Sequence, residues 1–103
     1  MLRFILFLSI LLLPVAACAG DIQALEKAVI ERAESDPETA EDYFISRIEA
    51  GATYEEQAVY VYGMGVAWEK RGNLVEAIHN YVAAEALGNP AATRALQRLQ
   101  TPR

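Results

Sequence analysis

The chain has 103 residues, 53% of them hydrophobic and 22% charged, with a formal net charge of −5. An acidic chain repels the phosphate backbone that supplies most nucleic-acid affinity, so nucleic-acid binding is disfavoured. Cys18 is the only cysteine, which excludes a disulfide scaffold. Setting aside the first 17 of the 103 residues leaves 86, enough for one small domain with a modest core.

Met1-Leu2-Arg3 is a short basic start, followed by an apolar run from Phe4 to Leu13. Pro14 ends the run, and Val15-Ala16-Ala17-Cys18-Ala19-Gly20 supplies small residues for processing. This is the three-part layout of a secretory signal peptide over residues 1–19. A retained anchor is the alternative: the uncharged stretch from Phe4 to Gly20 spans 17 residues, at the short limit for a bilayer core of about 30 Å. Val15-Ala16-Ala17-Cys18 resembles the bacterial lipobox, in which an apolar residue and two small ones precede the cysteine that receives diacylglycerol. Ala17-Cys18-Ala19 equally satisfies the small-x-small rule for cleavage before Gly20. The lipobox resemblance implies lipidation at Cys18. Each buried methylene contributes about 0.8 kcal/mol, so several acyl chains would hold the amino terminus at a membrane. With Ala19 after the cysteine, it also implies the outer membrane of a diderm bacterium.

Beyond Gly20 no segment alternates long enough to argue a strand, and helical spacing recurs instead. Asp21 opens a first helix with Ile22, Leu25, Val29 and Ala33 on one face. Asp36-Pro37 starts a second, whose carboxylate is expected to cap free amides; Ala40, Phe44 and Ile48 form its stripe, and it stops at Gly51. Thr53-Tyr54-Glu55-Glu56 is a capping box opening a third helix that runs to Arg71 and closes at Gly72. Asn73 caps a fourth helix ending at Gly88, and Asn89-Pro90 starts a fifth with Ala92, Ala95, Leu96 and Leu99. Turns this short make consecutive helices antiparallel neighbours. The expected fold is all-α over residues 21–100, with a tail at 101–103.

Val61, Met64-Gly65, Trp68, Gly72, Ala77, Tyr81 and Ala84 keep the spacing of the tetratricopeptide repeat, which this segment resembles. Val61 and Met64 replace the family's usual Trp and Leu, and Pro90 is displaced by one. Ala83-Ala84-Glu85-Ala86-Leu87-Gly88-Asn89 is also similar to Sel-like repeats, although Gly63-Met64-Gly65 sits inside a helix and not in their interhelical loop. A shift of 37 residues maps Ala77 onto Ala40, Tyr81 onto Phe44, Gly88 onto Gly51 and Asn73 onto Asp36, whereas Trp68 meets Glu31. The resemblance implies a short solenoid of about two helical hairpins plus a carboxyl-terminal helix, with Gly65, Trp68, Gly72, Ala77, Tyr81 and Ala84 packing the repeat. It further implies a groove lined by the first helix of each pair, faced here by Val59, Tyr62, Val66, Glu69 and Lys70.

Candidates for catalysis are sparse. His79 is the single histidine, and its place beside the Ala77–Tyr81 face makes it a rim residue. No cysteine–histidine cluster offers a zinc site, and Asp36-Pro37-Glu38 is too short for a calcium loop. Gly63-Met64-Gly65 lacks the strand–turn context of a nucleotide loop, so close helix packing is its expected role. No metal and no cofactor are therefore expected. The leading expectation is an exported, lipid-anchored helical-repeat module, in the periplasm or at the outer membrane of a diderm bacterium and otherwise at the cell surface, whose partner is another envelope protein or peptide. A small periplasmic enzyme or enzyme inhibitor on a helical frame is the alternative. Arg94, Arg98 and Arg103, with no acid after Glu85, make the carboxyl-terminal end positive, which favours head-to-tail contact or an anionic surface.

Overall fold

The computed structural model describes residues 21–101, so the leader, the Cys18 motif and residues 102–103 lie outside the described residues. Within them the chain forms five helices and no strand: α1 (Asp21–Ser35), α2 (Pro37–Glu49), α3 (Tyr54–Lys70), α4 (Leu74–Ala86) and α5 (Pro90–Gln100). None of these is long and apolar enough to cross a membrane.

Two of the connections are built alike, and they explain the antiparallel course. After α3, the Gly72 N–H donates to the Glu69 carbonyl and the Asn73 N–H to the Trp68 carbonyl, with Gly72 at φ +81°. After α4, Gly88 donates to Glu85 and Asn89 to Ala84, with Gly88 at φ +94°. Both are Schellman closures, which need a left-handed residue that glycine supplies at little steric cost. The asparagine that closes one helix also opens the next: Asn73 Oδ1 accepts from the Glu76 N–H at 3.1 Å, and Asn89 Oδ1 from the Ala92 N–H at 3.0 Å. A single Gly-Asn pair thus satisfies orphan carbonyls on one side and orphan amides on the other, and the chain reverses in three residues.

The start of α3 is the expected capping box. Thr53 Oγ1 accepts from the Glu56 N–H, while Glu56 Oε1 accepts from the Thr53 N–H. The start of α2 corrects the sequence reading. Asp36 occupies the N-cap position, but its carboxylate takes the Thr39 hydroxyl and caps no amide. Pro37 at the first turn has no N–H to satisfy, and the hydroxyl offers a good donor within reach.

The central element is α3, which packs on α1 and α2 with one side and on α4 with the other; α5 packs on α4. Its two glycines serve these two interfaces. Residues two apart on a helix point about 200° apart, so Gly63 and Gly65 face in nearly opposite directions. A Cβ at Gly63 would run into Val29 and Phe44, and one at Gly65 would lie 2.5 Å from the Tyr81 ring. Small side chains do the same elsewhere: Ala33, Ala40, Ala77, Ala84 and Ala92 are completely buried. Phe44 and Tyr81 fill the space beside them. The described chain is therefore all-α, a stack of antiparallel helical hairpins.

The 37-residue correspondence has a structural counterpart. Ala40 and Ala77 are both buried, Phe44 and Tyr81 are the two largest fully buried side chains, and Gly51 and Gly88 both take positive φ. The pattern fails where the sequence fails. Glu31 is exposed on α1, whereas Trp68 is half-buried against the core.

Candidate functional site

Among the described residues an open cleft of about 460 Å³ lies along one side of the helix stack. Its walls come from the first helix of each successive pair: Ile30 and Glu34 on α1, Tyr62, Val66, Glu69 and Lys70 on α3, and Arg98 on α5. Tyr81 of α4 completes the lining. The α3 positions follow i, i+4, i+7 and i+8 and so share one helical face.

Four of the five residues expected in the groove meet here. Tyr62 and Glu69 are half-buried, Val66 is buried as part of the core at the base of the cleft, and Lys70 is exposed with its Nζ 3.9 Å from Glu34. Val59 does not join them. It is 2% exposed and belongs to the core, because α3 is covered by α1 and α2 as well as by α4, and its apolar positions cannot all be spared for a groove.

A hydrogen-bonded network organises the cleft. Glu69 accepts two bonds from the Arg98 guanidinium, at 2.7 Å and 2.9 Å, and a third from the Tyr81 hydroxyl at 2.7 Å. The forked arrangement suits a planar guanidinium and ties α5 to α3 across α4. Arg98 holds the Glu69 carboxyl below the usual carboxylate range; partial burial opposes this and the Tyr81 bond assists it. Burial pushes the Tyr81 phenol up, and donation to Glu69 pushes it further. Burial also raises Tyr62, with Glu26 adding to the effect. The Tyr62 and Tyr81 rings lie 5.6 Å apart, so the cleft has an aromatic floor beside a salt-bridged wall. A carboxylate already holding three donors is a weak base, and the network is built for shape and charge.

The residues assigned to repeat packing lie on α3, on α4 or in the turn between them. Gly65 meets Tyr81, Ala77 and Ala84 are fully buried, and Gly72 makes the turn. Trp68 turns the other way. Its indole N–H donates to Glu41 Oε2 of α2 at 2.7 Å, and the Arg71 guanidinium lies 4.2 Å over its ring. It therefore bridges the two helical pairs, a role the repeat spacing by itself did not reveal. Arg71 is paired in turn with Glu38 at 3.4 Å.

His79 is exposed on the outer face of α4 beside Val75, Ile78 and Val82. That apolar strip, with Val75 75% exposed, was not anticipated. The signal was present in the sequence, since Leu74, Val75, Ile78 and Val82 exceed what the buried Ala77–Tyr81–Ala84 stripe requires. Among the described residues no group of three or more His, Cys, Asp or Glu side chains is placed to hold a metal ion. Comparison of the chain with protein-family models, curated proteins and solved structures finds no match.

Proposed function

We propose that this chain is an exported protein–protein interaction module of the cell envelope, a tetratricopeptide-like domain held at a membrane through lipid on Cys18. The observation that carries the reading is the cleft: successive first helices, α1, α3 and α5, contribute to one lining around Tyr62 and Val66. A groove of that origin is what the repeat resemblance implies for capture of a peptide or helix from a partner. Tyr62 presents a ring that is partly buried before binding, the kind of anchor that dominates interface energetics. Lys70 and Glu34 stand at the rim, where charges set encounter and orientation.

The test has two arms. Mass spectrometry of the mature protein should find a diacylated Cys18; a free Gly20 or an intact Met1 would remove the lipid anchor from the proposal. Co-purification from membranes should recover a partner set with the parent chain that Tyr62→Ala loses while its helical circular dichroism is retained. Recovery of the same set by both chains would defeat the groove.

A further inference from the structure

A second cavity, of about 230 Å³, opens between α1, α2 and α3. A different face of α1 lines it, carrying Val29 and Arg32 where the cleft has Ile30 and Glu34. Val29 and Phe44 are buried apolar residues of its lining, and Tyr43 and Tyr60 add aromatic rings. Among the described residues its two charged lining residues are both arginines, Arg32 and Arg47, and no carboxylate lines it.

Lys70, Arg71 and Arg98 each lie within ion-pair distance of a glutamate, whereas among the described residues neither Arg32 nor Arg47 does. The Arg32 guanidinium lies 4.3 Å over the Tyr43 ring, and its Nη2 donates to Thr39 at 3.3 Å. Its Nε is buried without a hydrogen-bond partner. Arg47 follows Tyr43 by one turn of α2 and lies beside Tyr60. Asp36 holds the Thr39 hydroxyl, and Glu56, which closes the capping box with one oxygen, acts on Arg47 through space from a neighbouring concavity and not from this lining.

We propose that this cavity binds a small organic carboxylate bearing an aromatic ring or short alkyl group. The guanidiniums match a planar carboxylate, and the accessible side chains of Leu25, Ala28 and Tyr43 in the lining take the apolar portion out of water. The volume is below the range of about 300–1,000 Å³ typical of drug-sized ligands, so the occupant is of the size of benzoate. The site is independent of the cleft and of its partner.

Benzoate is the probe, titrated into the full chain and followed by amide chemical shifts, with neutral benzamide and inorganic phosphate as comparisons. Saturable shifts on α1, α2 and Tyr60, at least tenfold weaker with benzamide and with phosphate, are the expected result. Arg47→Gln, an exposed substitution, should weaken benzoate about tenfold, the loss of one charge-assisted contact. Arg32→Gln should do the same wherever its circular dichroism shows the fold intact. Absence of saturable benzoate shifts, equal response to benzamide or phosphate, or unchanged affinity in Arg47→Gln would each overturn the proposal.

Discussion

Gly65→Ala is the sharpest probe of how the hairpins nest. The added Cβ would stand 2.5 Å from two carbons of the Tyr81 ring, closer than carbon atoms tolerate. The ring cannot retreat freely, because it is 1% exposed, its hydroxyl is held by Glu69, and the tilted Tyr62 ring lies 5.6 Å from it. Overpacking of this kind costs about 1–3 kcal/mol. Alanine returns about 1 kcal/mol through its better helix propensity. A 2.5 Å approach to a ring held in this way puts the overpacking cost in the upper part of its range, about 2–3 kcal/mol. The net expectation is a destabilisation of about 1–2 kcal/mol, each kcal/mol lowering Tm by about 4–8 °C in a domain of this size. Urea unfolding followed by far-ultraviolet circular dichroism measures it directly. In a Tyr81→Leu background the clash is gone, and Gly65→Ala should become neutral or stabilising. If Gly65→Ala is as stable as the parent, or if its penalty persists without the ring, the nesting argument is wrong.

Glu41→Ala should destabilise by about 1 kcal/mol, because the half-buried Trp68 indole N–H loses its acceptor; Glu41→Gln, which keeps an oxygen there, should lose less, and equal urea midpoints for Glu41→Ala and the parent would dismiss the bridge. Glu69 has a folded-state pKa below its ordinary value, so its contribution is fully present above the unfolded value near 4.5 and disappears as pH falls through the depressed folded value. Arg98→Gln removes the largest cause of that depression, and stability should then vary less steeply with pH below about 5 than in the parent, as urea midpoints at stepped pH would show.

Local punctuation was readable residue by residue. Thr53 with Glu56, Asn73 with Glu76, and the glycines at 51, 72 and 88 each act within four or five positions along the chain, and their outcomes follow from backbone chemistry alone. The alternation of small and large residues at 65, 77 and 81 also carried over, because steric fit between neighbouring helices depends on spacing more than on distant context. Asp36 departs from its expected role through a competitor three residues away, the Thr39 hydroxyl. Val59 and Trp68 depart for a longer-range reason. Each lies on a helix with partners on two sides, and helical periodicity does not say which neighbour claims which face.

The amino-acid order alone determined the helices, their boundaries and the tightness of their turns, since these depend on donors, acceptors and dihedral freedom among residues close in the chain. Only the tertiary arrangement decided that Arg98 would grip Glu69 from 29 residues away, that Trp68 would reach back to Glu41, and that Arg32 and Arg47 would share a cavity. Such meetings are set by how rods stack. Stacking reflects the summed shape and burial of many side chains, which no short stretch of sequence contains.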